Sequence, residues 1–287
     1  MNLELSQYEN PVELKEALAS YKDEIEKAID ELDCLDEKFE YENMAEFIQR
    51  VKSEPPLKVY RTNIHWLDSE LYQGGIAQGT FLNIAGASFA GKTTLTIELL
   101  KGLARENKVA FFSFEMYEKL LIRKFEKTKN EILENMAIIQ APATLESVTK
   151  RIKMLNKQGY EIFAIDSRMK ISCDPKLSEY EKNSLISMRL SELTRSLGVI
   201  IILINQISEG DQKAGRLALK GSGDQFYDSD MIMFLNIEIR DDGDVKRELT
   251  IAKDRVGGKV LKIKVPDFKN SDGFIEAIEF DSGNCEF

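Results

Sequence analysis

Gly86-Ala-Ser-Phe-Ala-Gly91-Lys92-Thr93 constrains this chain more than any other stretch. It is a GxxxxGK[ST] sequence that leaves the apolar run Phe81 to Ala85 and opens a pattern rich in Leu and Glu with helical spacing. The order has a physical reason. Glycines let backbone amides turn inward on phosphate, the helix N-terminus adds positive potential, the lysine reaches the β and γ oxygens, and the hydroxyl after it ligates Mg²⁺. Gly86, Ala87, Ser88, Phe89, Ala90, Gly91, Lys92, Thr93 and Thr94 are therefore the expected nucleotide-binding segment, with ATP and Mg²⁺ as the expected cofactors.

The rest of the chain agrees with such a loop. Short apolar runs, Phe81 to Ala85, Val109 to Phe114, Ile162 to Asp166, Val199 to Ile204 and Met231 to Leu235, alternate with helix-length amphipathic stretches. Strands apolar along their whole length, joined by helices, predict a parallel sheet covered on both faces. After Arg247 the spacing tightens to Leu249–Ala252, Val260–Val265 and Phe274–Phe280, with turns at Gly257-Gly258 and Asp272-Gly273, which predicts antiparallel hairpins extending the sheet.

Ahead of this domain the sequence predicts helices. Asn10, Pro11 and Glu13 mark a helix start. Leu14, Leu18, Tyr21, Ile25, Ala28, Leu32 and Leu35 then form one stripe. A second pattern, Met44, Phe47, Ile48 and Val51, stops before Pro55-Pro56, so the predicted division is a helical segment and linker over 1–55 and an ATPase domain over 56–287. These helices suit a hairpin docked on its own domain or a contact between protomers equally well.

Composition narrows the classes. With 39 basic against 49 acidic residues the net charge is −10, so any nucleic-acid contact must come from local basic loops. Cys34, Cys173 and Cys285 lie far apart and His65 is the one histidine, which argues against a disulfide framework, a zinc site or a Ser-His-Asp triad. A polar N-terminus and the absence of a bilayer-length apolar run predict a soluble, cytoplasmic protein with no membrane partner.

Three strand ends carry candidate chemistry. Asp166 ends the run Ile162-Phe-Ala-Ile-Asp, where a carboxylate emerges beside the phosphate loop to hold magnesium through water; a helix-cap or turn carboxylate is the plainer alternative. Glu115 ends Val109-Ala-Phe-Phe-Ser-Phe-Glu and is either a base that orients water or a helix cap. Gln206 follows the run ending at Ile204, where an amide can sense the γ-phosphate or simply end a strand.

Taken in order, the Gly86–Thr93 loop, Phe111-Phe-Ser-Phe-Glu-Met116, Ile165-Asp166, Ile204-Asn-Gln206, Gly221-Ser-Gly223 with Asp228-Ser-Asp230, and Ala252-Lys-Asp-Arg-Val-Gly257 resemble the ATPase domain of the DnaB-type replicative helicases over about residues 60–280. Thr62 to Gly79 resembles the segment that leads into that family's phosphate-loop strand. The resemblance implies a RecA-like P-loop domain with a mostly parallel sheet, assembled as a hexamer on single-stranded DNA and acting as a 5′ to 3′ helicase in replication. It also implies Glu115 as general base and Lys253 with Arg255 reaching a neighbour's γ-phosphate, where positive charge stabilises phosphoryl transfer. DNA contact falls by the same resemblance to Ser208–Gly223, with Lys213, Arg216 and Lys220 as candidates. Lys170–Lys182 is a second, weaker stretch.

The resemblance has limits. About fifty-five helical residues stand where the family has a sizeable globular N-terminal domain, which puts primase binding in doubt. Ala87 and Phe89-Ala90 replace a proline and a methionine, at positions where backbone amides do the contacting. An alternative reading is a helicase paralogue that binds a replicative helicase or loader without unwinding. A recombination or clock-type RecA-like ATPase is disfavoured by the Phe-Glu-Met and Lys-x-Arg patterns.

Overall fold

The computed structural model describes residues 42–207, 227–239 and 245–265, with scattered positions between Asn10 and Lys27. The chain divides into two compact units, Met1–Pro56 and Leu57–Phe287. In the first unit Leu18, Tyr21 and Ile25 are helical, whereas Pro11, Glu13, Leu14, Ala28, Leu32 and Leu35 lie outside the described residues. Helix α1 (Met44–Ser53) starts at a capping box: Asn43 Oδ1 accepts from the amides of Ala45 and Glu46, and Glu46 Oε2 accepts from Asn43 N. The helix ends before Pro55-Pro56 as expected, and the stripe Met44, Phe47, Ile48 and Val51 is exposed.

In the second unit β1 (Val59–Tyr60) pairs antiparallel with β2 (Ile76–Ala77), and α2 (His65–Asp68) lies between them. Asp68 closes the turn before α2, accepting from Thr62 N, Thr62 Oγ1 and Asn63 N. The main body then runs β3 (Phe81–Gly86), α3 (Lys92–Leu103), β4 (Lys108–Ser113), α4 (Glu118–Ile122), α5 (Asn130–Glu134), β5 (Met136–Ile139), α6 (Leu145–Asn156), β6 (Tyr160–Asp166), α7 (Glu179–Leu197), β7 (Ile200–Gln206), β8 (Met231–Ile239), β9 (Val245–Asp254) and β10 (Leu261–Val265).

Among the described residues these strands make one sheet in the order β10-β9-β8-β3-β7-β6-β4-β5. Strands β3 to β8 are parallel, and β9 and β10 add antiparallel strands at one side. This is the predicted architecture. Residues of β3 are buried on both faces because each face has its own core. Leu82, Ile84, Phe111 and Ile202 pack with Leu95, Leu99 and Leu100 of α3. Phe81, Phe112, Phe163 and Leu203 pack with Val148 and Ile152 of α6 and with Ile186 and Leu190 of α7. Each such fully buried side chain contributes roughly 1.5–3 kcal/mol.

Two elements were absent from the sequence reading: the β1–β2 pair and the edge strand β5, whose four residues are too short to show a period. The expected strand Phe274–Phe280 and its turn at Asp272-Gly273 fall outside the described residues. No helix among the described residues is long and apolar enough to cross a membrane.

Candidate nucleotide site

The register brings the strand ends that matter to one edge of the sheet. Gly86 lies opposite Gln206 of β7 and Leu235 of β8, and Ser113 lies opposite Asp166. A β-carbon on Gly86 would sit 2.5 Å from the Leu235 carbonyl oxygen, so the chain leaves β3 here only as glycine. Gly91, the N-cap of α3, has φ 102°, a left-handed conformation that suits a residue without a β-carbon. Between them Phe89 stands almost fully exposed at φ 63°, Ala90 is buried, and the loop amides run into the first turn of α3.

Inside this loop Lys92 is buried and its Nζ donates to the carbonyls of Gly86 (2.9 Å) and Ala87 (2.7 Å). Burial pushes its pKa down, against the pull of the Asp166 and Glu115 carboxylates. Thr93 Oγ1 donates to Asp166 Oδ2 at 2.7 Å. Burial, with the Glu115 charge added, pushes Asp166 up to about 6, although the Thr93 bond and Lys92 oppose the rise. Ser167 Oγ donates to Glu115 Oε1, and the amide of Phe114 donates to the Asp166 carbonyl at 2.8 Å. The β4 and β6 ends are thereby tied together. Thr94, one residue along α3, accepts from Lys124 Nζ at 3.4 Å.

These residues fit a magnesium-bound triphosphate. The cluster holds one cation beside two carboxylates and a hydroxyl, and among the described residues Lys92 is the cation whose charge acts on the buried Asp166. A divalent ion there offsets the desolvation that raises Asp166, and a phosphate chain gives Lys92 a better partner than two neutral carbonyls.

Lys253 and Arg255 are not in this cluster. Both sit at the end of β9 where Asp254 lies opposite Met231, the first residue of β8. Arg255 NH1 pairs with Asp230 Oδ1 at 2.6 Å, and Asp230 Oδ2 accepts from the amide of Phe81, the first residue of β3. Lys253 Nζ and Arg255 NH2 both donate to the Tyr227 carbonyl, at 3.1 and 3.3 Å. Burial, with Arg255 beside it, lowers the Lys253 pKa. From Phe81 to Gly86 the strand rises about 16 Å, so this pair cannot reach its own phosphate loop.

Two residues at the site escaped the sequence reading. Ser167 carries no motif beyond following Asp166, and Arg247, at the near end of β9, donates Nε to Ala90 O at 3.1 Å. Only the alternation of β9, read with its register on β8, could have placed Arg247 there. Lys213, Arg216 and Lys220 lie outside the described residues.

A glycine-framed loop at the end of a central parallel strand, with a lysine inside it and a Thr–Asp pair beside it, defines a P-loop nucleoside triphosphatase with a RecA-like sheet. The chain belongs to the KaiC ATPase family, whose profile matches residues 60–265. The motifs that set the clock-type ATPases aside were therefore poor discriminators, because they sit on a scaffold that these ATPases share. RecA proteins of Francisella tularensis, from the novicida (U112) and tularensis (WY96-3418) subspecies among others, are 27% identical over 236 residues, which covers 75% of this chain. The chain spans 62% of the length of these curated relatives.

Among solved structures, a DnaB-like replicative helicase, described together with its interactions with primase, superposes with TM-score 0.65 at 21% identity over 85% of this chain and 69% of its own. The KaiC-like protein PH0186 of Pyrococcus horikoshii OT3 gives 0.58 at 21% identity, over 74% and 100%. At this identity they establish the fold.

Proposed function

We propose that the chain is a DnaB-like, magnesium-dependent ATPase that works as a ring, with six copies the expected number, and translocates on single-stranded DNA in replication, 5′ to 3′. One observation carries the reading. The acid–lysine cluster occupies one edge of the sheet, while a basic pair mounted on Asp230 and Tyr227 occupies the other, out of reach of its own loop. Such a pair can serve phosphoryl transfer only in the loop of a second copy.

In this reading the loop amides and Lys92 bind the triphosphate, with Lys92 exchanging its two carbonyls for β and γ oxygens. Thr93 and, through water, Asp166 would hold Mg²⁺, which would supply positive charge to the phosphate oxygens. Glu115, steadied by Ser167, takes a proton from water as the water oxygen bonds to the γ-phosphorus and the bond to the β-phosphate bridging oxygen breaks. Gln206, level with Gly86, reads the γ-phosphate by its amide. Lys253 and Arg255 of the adjacent copy stabilise the charge that grows on the transferred group.

On the sequence alone, DNA contact falls to Lys213, Arg216 and Lys220, and the partner is a helicase loader or another replication protein. A second reading, a KaiC-like or paralogous ATPase that acts through protein partners, is favoured by the family match and by the net charge of −10. Hydrolysis measured with and without single-stranded DNA, beside the oligomeric mass, separates the two. A ring stimulated severalfold by DNA supports the first; a DNA-indifferent ATPase refutes it in favour of the second.

A further inference from the structure

A line of buried polar side chains joins the two edges of the sheet, and none of the phosphate chemistry above uses it. Asn83, in the middle of β3, is fully buried and shares a face with Phe81 and Ala85. Its Oδ1 accepts from Asn205 Nδ2, and its Nδ2 donates to Ser229 Oγ at 2.6 Å. Asn205 is buried next to Gln206, at the nucleotide edge. Ser229 is buried next to Asp230, the residue that holds Arg255. Tyr227, two residues before Ser229, supplies the carbonyl shared by Lys253 and Arg255.

An amide in the centre of a largely apolar sheet is a costly way to add stability. A buried amide is tolerated only because its bonds are made. What such bonds supply is position, since they are directional and an apolar contact is not. Along this line the direction runs from the tip of β7 through β3 to the turn that carries the basic pair. The nucleotide end is the adjustable one: Asn205 Oδ1 is buried with no hydrogen-bond donor among the described residues. At the far end Asp230, next to Ser229, is bonded to both Phe81 N and Arg255, so the position of Ser229 is passed on to the basic pair.

We infer that Asn83 and Ser229 are positioning residues for hydrolysis in the adjacent copy: they set the turn that carries Lys253 and Arg255 relative to the β7 tip that carries Gln206. Nucleotide bound at one edge of a subunit thereby sets how that subunit presents its basic pair at the other. The inference rests on the proposed reading of Lys253 and Arg255 as acting in a neighbour's site.

Subunit mixing tests it. A Ser229→Ala chain is a poor donor of the basic pair but keeps an intact nucleotide site, whereas a Glu115→Gln chain keeps the phosphate loop and Lys92, holds nucleotide without hydrolysing it, and is an intact donor. Alone, Ser229→Ala is expected to bind a fluorescent ATP analogue within about twofold of wild type and to lose tenfold or more in kcat. With an excess of Glu115→Gln chains, turnover per Ser229→Ala chain is expected to recover severalfold, which damage to its own site could not do. Asn83→Thr, close to asparagine in volume but too short to reach both partners, repeats the experiment if the serine variant is poorly folded. Wild-type kcat in both variants, or a loss that mixing does not restore, overturns the inference. Arg255→Ala mixed with Glu115→Gln is the control: if that pair fails to complement, the trans reading itself falls, and if it complements while the Ser229 and Asn83 variants do not, only the polar line does.

Discussion

Replacing Asp166 by asparagine should make the nucleotide-free protein more stable while abolishing its magnesium-dependent turnover. Asp166 is 2% exposed, and burial is the main reason its pKa rises from 3.8 to about 6. That rise of about two pH units amounts to roughly 3 kcal/mol at ~1.4 kcal/mol per unit. The sign follows from linkage: a group whose folded pKa is raised contributes stability that is fully present below its unfolded pKa and lost as pH rises through the folded value. At pH 8 the ionised carboxylate therefore costs the fold about 3 kcal/mol. Asparagine keeps an acceptor for Thr93 Oγ1, and its buried amide group gives back roughly 1 kcal/mol. The expected net gain is about 2 kcal/mol at pH 8, or roughly 4–8 °C in Tm for a domain of this size. At pH 5 the linkage part falls to about half, because wild-type Asp166 is then mostly protonated in the folded state. Urea denaturation followed by the fluorescence of Trp66, the one tryptophan, measures both values, and urea counters the low solubility expected near the sequence pI of 5.0. A variant no more stable than wild type at pH 8, or one whose gain is the same at pH 5, would refute the assignment of the rise to desolvation.

Lys92→Ala should abolish hydrolysis and weaken triphosphate binding more than diphosphate binding, which isothermal titration with the two nucleotides compares. Arg255→Ala should bind nucleotide like wild type yet lose on the order of 10³-fold in kcat, since the charge it meets develops only during transfer; normal turnover would remove the trans assignment. Ser167→Ala should lower kcat roughly tenfold at unchanged KM by freeing Glu115, and Ser167→Thr, which keeps the hydroxyl, should recover part of it in steady-state assays. Arg247→Ala should weaken nucleotide affinity roughly tenfold by loosening the loop at Ala90, and a KM unchanged in that variant would assign Arg247 to the sheet alone.

What was legible in the sequence was whatever a single strand or loop decides alone. The β3 strand is buried on both faces, so Phe81-Leu-Asn-Ile-Ala reads as an apolar run broken only at Asn83, and the loop that follows needs glycine at Gly91, where the φ of 102° is a local matter of the backbone. Asp166 and Glu115 were legible because chain direction in a parallel sheet sends every strand's carboxyl end to the same edge. What escaped depends on register between strands distant in sequence. Arg247 reaches Ala90 only because β9 runs antiparallel to β8 with Arg247 opposite Ile237, and that pairing leaves no trace in the local pattern. Asn83 is the sharper case: as one polar residue in an apolar run it looks like noise, and it gains meaning only when Asn205 and Ser229, 122 and 146 residues away, are seen to share its bonds. The same dependence explains why Lys-x-Arg could be recognised but not placed by spacing. Its distance from the phosphate loop follows from β9 running antiparallel to β8 and β3, and the proposed part of a second copy in the chemistry rests on that distance.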